Sequence, residues 1–131
     1  MVEILLRSKS KIKIMNKFII NLSKKPAFCQ KGLIGYTFPI KNKKIGLHFI
    51  DVKKGHDTFI ISKKCNHIYY ILSGNGSFEI KGRIFKVKKE MMVNVPTKIE
   101  YTYSGKMKLF LIMLPPWFRG NEIVIKNNPA V

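Results

Sequence analysis

Apolar residues recur along most of this chain with a period of two, in short runs broken by Gly, Pro, Asn or Lys. The runs are 12–22, 33–40, 45–52, 57–62, 67–73, 77–81, 84–88, 91–95, 99–104 and 107–114, with a further short run at 122–126. In 84-IFKVK-88 and 106-KMKLFLIM-113 the lysines keep to one parity, as expected of strands with one wet and one dry face. No amphipathic helix longer than two turns is apparent, and the close spacing of the runs predicts an all-β sandwich or barrel. The stretch Ser73-Gly74-Asn75-Gly76 separates HIYYIL from SFEIKG and reads as the turn of a β-hairpin. Lys81-Gly82 and Ser104-Gly105 read as turns for the same reason, a residue suited to positive φ. Pro115-Pro116 should end the last strong strand, since proline cannot donate to a ladder. Trp117 and Phe118 then fall where they would cover a barrel end.

Composition narrows the class. At 131 residues and 46% hydrophobic content the chain suits one domain with one core. Lys and Arg number 25 against 7 Asp and Glu, a net charge of +18, which on its own favours acidic partners. Only three of the 25 are arginines (Arg7, Arg83 and Arg119), and arginine is the residue suited to bidentate phosphate and base contacts. An A+T-rich coding sequence gives such a lysine excess without selection for binding, so nucleic acid ranks below a small molecule as the expected partner. Cys29 and Cys65 form no CxxC and no disulfide framework, and no apolar run is long enough to span a membrane. A reduced, cytoplasmic protein is the expectation.

The stretch from about 45 to 114 resembles the cupin superfamily, whose first motif reads G-x5-H-x-H-x3-E-x6-G. Counting from Gly55, its four ligand and end positions fall on Ile61, Lys63, His67 and Gly74. The second motif, G-x5-P-x-G-x2-H-x3-N, falls on Glu90, Pro96, Lys98, Tyr101 and Gly105. The resemblance implies a single-domain jelly-roll β-barrel. Residues 1–40 are then an N-terminal strand-like extension packing on the barrel or at a dimer interface, and 41–131 form the barrel. In metal-binding cupins two His, a Glu and a third His converge on one cation, but here those places hold Ile61, Lys63, His67 and Tyr101. Isoleucine has no lone pair and an ammonium repels a cation, so no metal is expected at the usual position. A shifted site drawing on His56, His67, Cys65 or Glu100 is the alternative.

Parity then gives a pocket wall. With His67 inward, Tyr69 and Ile71 follow on its strand; Ile61 carries Phe59 and Lys63 with it, and Tyr101 carries Tyr103. Such a lumen, aromatic with a few polar groups, suits a small ligand with an anionic or hydroxyl-rich end. Three roles are open to His67: a buried neutral imidazole bonded to Tyr101 or to a carbonyl, an acid/base or ligand-binding group, or a metal ligand. Lys63 is either a snorkelling ammonium or an anion anchor. His48, His56 and Glu79 are expected at turns or in solvent, and Glu100 is expected to point outward. The leading expectation is a metal-free cupin that binds a small polar metabolite, a sugar or organic acid. The alternatives are a cofactor-free carbohydrate isomerase or epimerase with His67 and Tyr101 as acid/base pair, or a metal-dependent cupin enzyme. A homodimer is expected.

Overall fold

The computed structural model describes residues 18–131, and they are almost entirely β. Nine strands follow in chain order: β1 (Phe28–Gln30), β2 (Leu33–Phe38), β3 (Gly46–Val52), β4 (Thr58–Ser62), β5 (Asn66–Ile80), β6 (Arg83–Lys88), β7 (Met92–Val95), β8 (Glu100–Leu114) and β9 (Glu122–Asn127). All pairings are antiparallel. The run 12–22 lies mostly outside the described residues. Of the segment read as an extension, 28–38 supplies β1 and β2, which continue the sheet outward from β3.

Two strands, β5 and β8, are 15 residues long and pair along almost their whole length. They organise the barrel. The first half of β5 pairs with β7 and its second half with β6. Likewise the end of β8 pairs with β3, and its start with β4, which in turn holds β9. One half of the curled sheet therefore runs β1-β2-β3-β8-β5-β7 and the other β9-β4-β8-β5-β6, with β5 and β8 common to both. The core fills the space between the halves: Leu33, Ile50, Val52, Ile60, Ile71, Phe78, Val95, Tyr101, Leu109 and their neighbours are nearly inaccessible.

This arrangement corrects the hairpin expected at Ser73-Gly74-Asn75-Gly76. That stretch is not a turn. It is the corner at which β5 passes from one half-sheet to the other, marked by a slip of register between Ile71 and Ser73. Ser104-Gly105 is the matching corner of β8. Gly76 faces Gly105 across the ladder, and a Cβ on Gly105 would sit 2.5 Å from the Gly76 Cα. Sequence reasoning recognised the glycines but not their purpose, because a sharp turn and a close backbone approach demand the same residue. The true hairpin turn is Lys81-Gly82, between β5 and β6.

The backbone also bears out the second-motif frame. Glu90 and Lys98, which occupy that motif's two glycine positions, have φ of 73° and 66°. On β4 the frame slips by one. It is Ile60 and Ser62 that face the interior, and opposite the Phe59–Ile60 step β9 carries a bulge at Ile125.

Candidate functional site

One end of the barrel is filled by side chains and the other holds a cavity of about 570 Å³. Its polar lining comes from His48 on β3, His56 in the β3–β4 connection, His67 and Tyr69 on β5, Tyr103 on β8, Glu122 on β9 and Gln30 on β1. Phe28 and Trp117 stand at its wall, and Trp117 is 55% exposed.

His56 is the most constrained of these groups. Its backbone N–H donates to Tyr103 O at 2.9 Å, and its carbonyl accepts from the buried Asn128 Nδ2 at 2.9 Å. The Asp57 carboxylate accepts the N–H groups of Lys31 and Gly32, each at 3.0 Å, which clamps the β1–β2 turn against this loop. The Asp57 N–H donates to Gln30 Oε1 at 3.0 Å, which leaves the Gln30 amide nitrogen 3.2 Å from His56 Nε2. A carbonyl can only accept, so the 2.8 Å contact between His56 Nδ1 and Thr58 O places the proton on Nδ1. Nε2 is then a lone-pair acceptor facing an NH2 group. Burial holds the His56 pKa below its usual value, though the Thr58 carbonyl and Asp57 push it back up. His56 is thus a neutral imidazole that presents a basic nitrogen.

His67 is also buried. Its Nδ1 lies 3.2 Å from Cys65 O, so it donates there and leaves Nε2 as acceptor. Its ring stacks on Tyr69 with centroids 6.0 Å apart. Burial drives its pKa down to about 4, against the Cys65 carbonyl and with the help of the nearby His56 and His48. Of the roles open from sequence, the bond to a backbone carbonyl is the one the structure displays. His48 lines the cavity with its Nδ1 buried and unpartnered among the described residues, and burial lowers its pKa too.

Tyr69, Tyr101 and Tyr103 are all buried, and burial raises all three phenol pKa values well above the ordinary one. The Tyr69 and Tyr101 hydroxyls are 2.5 Å apart, a short bond that either can donate. Tyr103 packs against both Tyr69 and His56, with ring centroids 5.3 and 5.6 Å apart.

Several expected positions move. Phe59, Ile61 and Lys63 do not line the cavity, because β4 turns the other parity, Ile60 and Ser62, to the interior. Phe59 lies under Lys126, whose Nζ is 4.5 Å from the ring centroid, and Lys63 is exposed. Ile71 and Tyr101 do face inward but pack in the filled end, so Tyr101 reaches the cavity only through Tyr69. His56 and His48 were expected at turns or in solvent; His56 does lie in a connection and His48 lies on β3, and both line the cavity. His48 could have been found: it shares the parity of Gly46, Ile50 and Val52, which face inward. No sequence signal pointed to Gln30 or Glu122.

The slip in β4 does not supply metal ligands. Ile60 has no lone pair, and the Ser62 hydroxyl is bonded to Cys65 O at 2.7 Å and to Asn121 Nδ2 at 2.8 Å. Among the described residues no three His, Cys, Asp or Glu side chains come together as ligands for a cation. The residues at the family's metal position therefore do not fit a metal.

No family model and no curated protein sequence matches the chain. Solved structures do. The Streptomyces protein Pac13, described as a nucleoside dehydratase and solved with uridine, superimposes with a TM-score of 0.75 at 16% identity, over 85% of this chain and 88% of its own. Ectoine synthase from P. lautus gives 0.65 at 16% identity, over 81% and 84%. The Cnp3 cupin domain of Schizosaccharomyces pombe gives 0.57 at 18%, over 73% and 69%. The fold is that of the cupins. Within this barrel, the polar groups gather at the open end and the aromatic core fills the other.

Proposed function

We propose that this cupin binds a nucleoside-sized, hydroxyl-bearing ligand in its cavity and carries out metal-free proton transfer on it, of the kind that eliminates water. One observation carries the reading. His56, Tyr69 and Tyr103 meet in one wall of the cavity, separated in the chain by 13 and 34 residues. Variants of Pac13 solved with uridine replace one histidine by glutamine and two tyrosines by phenylalanine, and those three positions have the same order and the same separations of 13 and 34. The volume of about 570 Å³ is in the range that holds such a ligand, and Phe28 and Trp117 offer aromatic faces to a base.

The chemistry follows from the protonation states. Elimination needs a base for a carbon-bound proton and an acid for the departing hydroxyl. His56 Nε2 takes the proton, and the freed electron pair forms the double bond. The hydroxyl leaves as water with the proton of the Tyr103 O–H. His56 then returns a proton to the Tyr103 oxygen. Tyr101 donates to Tyr69, which frees the Tyr69 O–H to hold the ligand. This reading moves the acid/base pair from His67 and Tyr101 to His56 and Tyr103. It keeps the expectation of a sugar-bearing ligand and of chemistry without a metal.

The test is a panel of nucleosides and oxidised nucleosides, followed by thermal shift and by mass spectrometry for products lighter by one water. Wild-type protein should be stabilised by at least one member, with or without EDTA. His56→Gln should still bind and form no product. Unchanged turnover in His56→Gln, or turnover that EDTA abolishes, would refute the proposal.

A further inference from the structure

Glu122 is a carboxyl in the cavity of a chain whose charge is +18. Its backbone is held firmly. The residue before it, Asn121, is wholly buried; its side chain bonds to Ser62 Oγ and accepts the Lys64 N–H at 2.8 Å each, and its carbonyl accepts the Lys63 N–H at 2.9 Å. Glu122 itself pairs with Ser62 across β4 and β9. This lattice of bonds fixes the start of β9, and so the point from which the Glu122 side chain leaves the backbone.

Among the described residues no ion pair or hydrogen bond reaches that carboxyl. The ion pair among the described residues is Lys53–Asp51, out on the surface. Burial raises the Glu122 pKa, with no cation or hydrogen bond set against it. Glu122 is half-buried, so water can serve its carboxyl in the open cavity, and a ligand that displaces this water must bring donors of its own. The cavity groups with a partner among the described residues bond elsewhere: His56 to Thr58 O and the Gln30 amide, the Tyr69 hydroxyl to Tyr101, and the Gln30 oxygen to the Asp57 N–H. The missing partner must therefore bring O–H or N–H groups, and it must not be an anion at this point. Two neighbouring hydroxyls match two carboxylate oxygens, the arrangement by which acidic residues hold a ribose diol in other folds.

We propose that Glu122 is the specificity residue for the vicinal hydroxyls of the ligand's sugar, so that the site selects ribosides over deoxyribosides. This rests on the nucleoside reading above. Because the ionised carboxylate is the better acceptor, affinity for a diol weakens as pH falls through the raised Glu122 pKa.

The experiment is calorimetric titration of uridine, 2′-deoxyuridine and methyl β-ribofuranoside into wild-type protein, Glu122→Gln and Glu122→Asp. Wild type should prefer uridine to 2′-deoxyuridine by roughly tenfold to a hundredfold, the worth of a hydrogen bond to a charged group. Glu122→Gln should bring the two within about threefold, while its melting temperature holds or rises as the burial cost is relieved. Glu122→Asp should bind both more weakly and keep part of the preference. Equal binding of uridine and 2′-deoxyuridine by wild type would overturn the diol contact and leave the nucleoside reading standing. So would a preference that survives Glu122→Gln. A wild type that binds the ribofuranoside but not uridine would overturn the nucleoside reading and keep the diol contact. No binding of any of the three overturns both.

Discussion

Replacing Gly105 by alanine separates the corner from a turn more sharply than any other single change. Gly105 has φ of 121°, a conformation that an L-residue adopts only under strain, and such strain costs about 1–3 kcal/mol. The added methyl would also lie 2.5 Å from Gly76 Cα and 2.8 Å from Asn75 O, both backbone atoms of the facing strand that cannot swing away. Relieving those contacts requires β5 and β8 to part at the point where both half-sheets join, which adds about 1–3 kcal/mol of overpacking cost. The total is roughly 2–6 kcal/mol, and in a domain of this size each kcal/mol moves the melting point by about 3–5 °C. Gly105→Ala should therefore melt at least about 6 °C below wild type, read by circular dichroism or calorimetry. Gly82→Ala is the internal control. Gly82 also has positive φ, 76°, but nothing lies within 4 Å of its added methyl, so only the backbone cost of about 1 kcal/mol applies. If Gly105 sat in an ordinary surface turn, the two variants would melt alike. That outcome would refute the account of the barrel corners.

Two other outcomes follow from the site. Tyr101→Phe removes one partner of the Tyr69–Tyr101 bond and leaves a buried hydroxyl unpaired, so stability should fall by about 1–3 kcal/mol. Ligand affinity should fall as well, because Tyr69 loses its donor, and an affinity equal to wild type would contradict the relay. The depressed His67 pKa makes stability depend on pH. The folded state binds this proton only near pH 4, the unfolded state already near 6.5, so stability is full above about 6.5 and declines as pH falls toward 4. The loss attributable to His67 is at most about 3 kcal/mol. Chemical denaturation across that window should show the decline in wild type and a flatter profile in His67→Gln; parallel profiles would argue against it.

Much of the fold was legible because its signals are local. Period-two runs gave most strand positions, and Pro115-Pro116 ended β8. What failed depended on events that parity cannot carry. The motif frame put Ile61 inward, but β4 turns Ile60 and Ser62 to the interior, which removed Phe59, Ile61 and Lys63 from the cavity together. The glycines at 74–76 and 105 marked bends within strands, where a turn and a corner look alike in sequence. His56 became a cavity residue because Gln30, Gly32 and Asn128, distant in sequence, bond to Asp57 and to the His56 carbonyl and hold the loop against the barrel. Tyr69 and Tyr103 were placed correctly, since both lie in strands that follow regular alternation from His67 and Tyr101.

The central claim is that His56, Tyr69 and Tyr103 form a single ligand site. Crystals grown at saturating uridine test it most directly. The account predicts density for the nucleoside in the barrel cavity, with its sugar against His56, Tyr69 and Tyr103 and its base toward Phe28 and Trp117. A cavity closed by side chains, or a nucleoside bound elsewhere on the surface, would contradict it.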